Sequence, residues 1–153
     1  MSVFEPADAD FEVRTRASFE RQRFMATLGA RLTRCEPGLC EIEFDWAEAL
    51  VQQHGFVHAG ATTSIADSAG GYAAYTLMPA DASVLSVEFK VNLLAPARGQ
   101  RFLARGRVLR PGRRITVCEL EVTAFDDGQA RLCLFGLQTV MCLPGTLDGT
   151  APG

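Results

Sequence analysis

The stretch Gly60-Ala61-Thr62-Thr63-Ser64-Ile65-Ala66-Asp67-Ser68-Ala69-Gly70-Gly71-Tyr72 constrains this chain more than any other. Its pattern predicts a helix of about four turns, from Ala59 or Gly60 to near Leu77. Pro79 then ends it, because proline cannot continue the hydrogen-bond ladder. Most of the helix has almost no side chain. Glycine in a helix interior costs about 1 kcal/mol relative to alanine, so the adjacent Gly70 and Gly71 need a compensating close contact. A ligand, a second helix or a sheet must press against this face.

Residues three and four apart share a helix face. Gly60, Thr63, Ser64, Asp67, Gly70, Gly71 and Ala74 therefore form one stripe, in which Asp67 is the lone acid. Ile65, Ala69, Tyr72 and Leu77 lie towards other faces. A carboxylate in such surroundings titrates abnormally, finds a partner or does chemistry. Both histidines of the chain, His54 and His58, stand just before the helix. Gly55, Phe56 and Val57 make that segment a loop, so the pair does not read as two metal ligands on one helix face, and no metal site is expected. The plain reading of His58 is a structural hydrogen-bonder.

The rest of the chain reads as strands and turns. Residues 1–9 are expected as a flexible leader, and 10–28, with Phe11, Phe19, Phe24 and Leu28, as one amphipathic helix. A strand begins at Arg31–Arg34, and Pro37-Gly38 supplies a turn. Cys40 to Trp46 alternates apolar and acidic residues, the mark of a strand with one wet face. Leu85, Val87, Phe89, Val91 and Leu93 alternate with Ser86, Glu88, Lys90 and Asn92 in the cleanest such pattern. Strands over 101–110, 114–125 and 131–143 follow, divided by Pro111-Gly112 and Asp126-Asp127-Gly128. The last is the most apolar and is expected to be covered on both faces. Short turns predict an antiparallel meander. The result is one α+β domain over 10–143, with a flexible tail at 144–153.

Composition removes several function classes. The net charge of −3 argues against a nucleic-acid partner. No apolar run is long enough to span a bilayer, and the acidic N-terminus lacks a signal-peptide core, so a cytoplasmic setting without a membrane partner is expected. The five cysteines show no paired spacing and read as small buried hydrophobes, although the turn between Cys35 and Cys40 would let the two face each other across a hairpin. Seven arginines crowd residues 98–114. Two readings stand: a solvated face balanced by acids, or a phosphate site using the bidentate guanidinium fork.

Gly60 adds a chemical hint. The first N–H groups of a helix lack internal partners and can polarise a carbonyl. Gly60 N–H and Asp67 thus look like an electrophile-stabiliser and a nucleophile or base. Seven residues put them about 10 Å apart along the axis, too far for one carbonyl. Two antiparallel copies about a twofold axis can bring them together, which requires at least a dimer with composite sites.

His58-Ala59-Gly60, Asp67 and the small-residue helix resemble the hotdog-fold acyl-CoA thioesterases of the phenylacetate-pathway (PaaI-like) type. Ser86 to Gly99 is similar to that family's next strand and turn, and the likeness covers roughly 30–143. It implies a long helix wrapped by a curved antiparallel sheet, homodimers and often homotetramers, and thioester hydrolysis without a cofactor. In that reading the Gly60 N–H polarises the thioester carbonyl and the partner protomer's Asp67 attacks it or activates water. His58 supports the loop, Gln52 or Gln53 stands where the family has an amide, and Ser86 assists. Lys90, Arg98, Arg113 and Arg114 are the candidates for coenzyme A phosphates. Two other readings stay open: a hotdog dehydratase or hydratase of acyl thioesters, and a non-catalytic acyl-CoA-binding domain.

Overall fold

Six strands turn one face of a curved antiparallel sheet towards a single long helix. A computed structural model describes residues 4–146. Two short helices come first, α1 (Phe11–Glu20) and α2 (Arg23–Thr27), then β1 (Arg31–Glu36) and β2 (Leu39–Asp45). The long helix α3 (Ala59–Tyr75) precedes β3 (Ser83–Leu93), β4 (Arg101–Arg110), β5 (Ile115–Asp126) and β6 (Gln129–Leu143). The strand order is β1-β2-β4-β5-β6-β3. This is the expected α+β hotdog architecture.

Period two decides which residues meet the helix. Cys40, Ile42 and Phe44 of β2 are buried, as are Phe102, Ala104 and Val108 of β4 and Cys118, Leu120 and Val122 of β5. Phe44 and Phe102 stack with centroids 5.2 Å apart. Ile65, Ala66, Ala69 and Ala73 of α3 are fully enclosed. Small residues let the backbones approach: a Cβ on Gly106 of β4 would lie 2.3 Å from the Ala69 carbonyl carbon and the Gly70 nitrogen. The α3 backbone therefore rests directly on β4.

Four expectations are corrected. Residues 10–28 are two helices broken at Arg21-Gln22, and Phe24 is exposed while Phe19, Met25 and Leu28 are buried. β3 is not part of a meander with β4. It lies at the far edge, paired with β6, because the chain crosses the sheet between 93 and 101. β6 is covered on one face only: Leu134, Gly136, Gln138, Val140 and Cys142 are buried, while Leu132 and Leu137 are exposed. The β3 alternation is interrupted by a bulge between Ser86 and Glu88.

At the N-terminal end, Phe4 packs against the core and Asp8 pairs with Arg14 at 2.8 Å. Arg14 also donates to the Met78 carbonyl at 2.8 Å and lies over the Tyr75 ring, closing the carboxyl end of α3. Residues 1–3 of the expected leader and 147–153 of the expected tail lie outside the described residues. All five cysteines are free and buried. Cys35 and Cys40 are cross-strand partners. Burial pushes the Cys118 thiol up to about 12 and the Cys133 thiol up to about 11. No helix among the described residues is long and apolar enough to cross a membrane.

Candidate active site

The bulge in β3 builds the first half of the site. Before it, Val84 and Ser86 sit opposite the buried Cys142 and Val140; after it, Phe89 and Val91 sit opposite the buried Gln138 and Gly136. One extra residue lets a polar position and the later apolar ones share the helix-facing side. Ser86 Oγ thereby donates to Asp67 Oδ1 at 2.7 Å. Gln138 Nε2 donates to the same oxygen at 2.6 Å. Asp67 is half-buried and borders a cavity of about 340 Å³ lined by Ser18, Gln22, Ser68, Gly71, Tyr72 and Ser86 among others.

The glycines divide the work. A Cβ on Gly70 would meet Gln138 Oε1 at 2.0 Å and Leu120 Cδ2 at 2.5 Å, so Gly70 makes room for the sheet. Gly71 has nothing within 4 Å of a Cβ and opens on the cavity. Tyr72 lines the same cavity, its hydroxyl held by Gln22 at 3.0 Å and Ser18 at 3.1 Å. The break between α1 and α2 places Gln22 there.

The second half lies at the start of α3. A β-bridge between Val51 and Val57 closes the loop that carries Gln52, Gln53 and His54. Gln52 Oε1 accepts from the His54 N–H inside that loop. His58 is the helix N-cap, and its Nδ1 accepts from the Gly60 N–H at 2.8 Å. The Gly60 N–H, expected to be free, is thus committed to the cap. The Ala59 N–H has no acceptor among the described residues. Gln52, Gln53, His58 and Ala59 line a second cavity of about 550 Å³ with Phe56 and Leu94 among others.

Within one chain these halves do not meet. Ala59 and Asp67 are eight residues apart on α3, about 12 Å along its axis. The cations are more scattered still. Lys90 donates to Asn92 Oδ1 at 2.9 Å on the exposed edge strand. Arg98 precedes β4, whereas Arg113 and Arg114 follow it. Ten residues of strand separate them by roughly 30 Å. Arg101, Arg105 and Arg107 pair with Glu43, Glu41 and Glu119 at 2.7–2.8 Å, so that part of the arginine cluster is a balanced surface. Among the described residues Arg98, Arg113 and Arg114 have no acidic partner.

The thioesterase superfamily profile matches residues 54–131, which holds His54, His58, α3 with Asp67, and β3 to β5. The chain belongs to the thioesterase superfamily. A thioesterase family protein from Silicibacter pomeroyi is 48% identical with a TM-score of 0.87, over 88% of this chain and 99% of that one. The E. coli PaaI protein of the phenylacetic acid degradation operon has the same fold, with a TM-score of 0.80 at 17% identity over 92% of this chain and 98% of its own. The 1,4-dihydroxy-2-naphthoyl-CoA hydrolase of Listeria monocytogenes is 24% identical over 108 residues, 71% of this chain and 86% of that protein. Gln138 was missed in the sequence, although a signal was present: it is the one polar residue among the alternate positions 134, 136, 138, 140 and 142. Reading the strand as covered on both faces concealed that alternation.

Proposed function

We propose that this thioesterase hydrolyses acyl-CoA thioesters at composite sites, each built from Asp67 of one protomer and the α3 N-terminus of another. The observation that carries the reading is the Asp67 carboxylate, fixed through Oδ1 by two donors beside a cavity. Such an acid is equipped to take a proton from water or to attack a carbonyl. In the first route hydroxide adds to the thioester carbonyl, the carbon–sulfur bond breaks, and the thiolate leaves as coenzyme A after gaining the proton. In the second, an Asp67 oxygen attacks the carbonyl and the carbon–sulfur bond breaks, expelling the coenzyme A thiolate. Water then opens the mixed anhydride, giving the free acid and the Asp67 carboxylate, and its proton goes to the thiolate. Either way a negative oxygen develops on the carbonyl. With Gly60 engaged by His58, the Ala59 N–H is the amide available to meet it.

Dimerisation is part of the proposal. β3 is an edge strand of 11 residues whose outer side has no partner strand among the described residues, and it carries exposed Leu85, Val87, Phe89 and Leu93. Such an edge is an aggregation hazard unless something covers it, and a twofold copy of itself would continue the sheet. The acyl group would occupy the cavity beside Asp67, and Lys90, Arg98, Arg113 or Arg114 would contact the coenzyme A phosphates from separate places on the assembly. Assembly into a tetramer and a cytoplasmic setting complete the reading. Five free thiols suit a reducing compartment. The hydratase alternative would have to work through His58 Nε2, because His58 Nδ1 is occupied by the cap.

The test is release of free thiol from aromatic, short and long acyl-CoAs. Asp67→Asn is expected to lose at least about a hundredfold in kcat while staying a folded oligomer. An Asp67→Asn enzyme as fast as wild type on the best substrate would overturn the mechanism. Hydration of an enoyl-CoA without thiol release would favour the alternative.

A further inference from the structure

Gln138 sits in the middle of β6 at 1% exposure, and only one end of its amide is used. Nε2 lies 2.6 Å from Asp67 Oδ1, 3.0 Å from the Asp67 backbone carbonyl oxygen and 3.0 Å from Ser86 Oγ. This fixes the amide orientation, since an amide oxygen would be repelled by the carboxylate and carbonyl oxygens together. Oε1 points the other way, against Gly70 and Leu120, and has no donor among the described residues. An unpartnered buried amide oxygen is costly, because it has given up its hydrogen bonds to water. Methionine would fill a similar volume without that cost. The bonds that Nε2 makes to Asp67 and Ser86 offset that cost, so the amide brings the fold little net stability.

The geometry supplies another reason. Ser86 and Gln138 both donate to Oδ1, and among the described residues Oδ2 has no donor. One oxygen is clamped and the other is left for chemistry. The same Nε2 reaches the Asp67 carbonyl, so the side chain and backbone of Asp67 are gripped from one point on a buried strand. The cleft for that grip exists because residue 70 is glycine.

We propose that Gln138 is a positioning residue of the hydrolytic reaction, holding Asp67 so that Oδ2 meets the thioester carbonyl or its attacking water. The proposal rests on the reading of Asp67 given above. On this reading the amide sets the rate while adding little net stability.

Gln138→Met separates the two roles. The expected result is kcat reduced roughly 10- to 100-fold with KM within about twofold, since the acid is misaligned rather than removed. The thermal midpoint is expected to stay nearly level, because the lost Nε2 bonds offset the relief of the unpartnered oxygen. In an Asp67→Asn background, Gln138→Met is expected to cost little further rate, because the two act as a unit. Wild-type kcat in a folded Gln138→Met oligomer would overturn the proposal, as would a rate loss that is fully additive with Asp67→Asn. A second readout does not need turnover: the Gln138 side-chain amide resonances in the full-length protein, which should move on Asp67→Ala. If they stay in place, the clamp does not exist. A wild-type protein that releases no thiol from any acyl-CoA would overturn the hydrolase reading instead, and the resonances would still decide the clamp.

Discussion

At the residue scale, two backbone amides one position apart have different fates. Gly60 donates to His58 Nδ1, which leaves Ala59 as the donor at the mouth of the helix. This gives an unusually clean substitution. Proline is tolerated at the first helical position, where its missing N–H has no intrahelical partner. It also needs an extended residue before it, and His58 already has φ −61 and ψ 136. Ala59→Pro should therefore keep the fold and remove one donor. The expected loss in kcat is roughly 10²–10³-fold, with the thermal midpoint little changed. Retained kcat in that variant would return the oxyanion role to another group.

At the scale of elements, the register of α3 on the sheet rests on glycines that do different jobs. Gly106→Ala would drive a Cβ into the backbone of Ala69 and Gly70, which cannot yield as a side-chain end can. A loss of about 3 kcal/mol or more is expected, read as a lower urea midpoint. Gly71→Ala meets no atom within 4 Å and adds a better helix former. It should raise the urea midpoint, by about 0.5–1 kcal/mol of stability. Equal losses from both variants would mean that helix and sheet are not seated as described. The same contrast explains why adjacent glycines look alike in the sequence but not in the fold: the sheet covers one, and a cavity faces the other.

At the scale of the whole molecule, the separation of the two cavities makes a statement about assembly. If each site takes Asp67 from one protomer and Ala59 from the other, two inactive variants should repair each other. Asp67→Asn and Ala59→Pro, unfolded and refolded together, would form mixed dimers in about half the cases, each with one intact site of two. Thiol release should return to about a quarter of the wild-type rate. Sites contained within one chain would give no recovery on mixing.

Much of this protein was legible in the sequence because it depends on local periodicity. The extent of α3 came from its small-residue run and Pro79, and β1, β2, β4 and β5 came from turn residues and alternation. The expectation of chemistry at Asp67 came from the cost of placing an acid among small, apolar neighbours, and the expectation of two chains came from the rise per helical residue. What the sequence could not determine was non-local. The move of β3 to the far edge depends on which strand pairs with β6, and pairing energy between distant segments leaves no periodic trace. The bulge at Ser86 changes which residues share a face without changing the apolar pattern that would announce it. Gln138 was one polar residue in a strand until folding brought it 71 positions back along the chain to Asp67. Local physics put the acid on the helix; only tertiary structure decided what holds it.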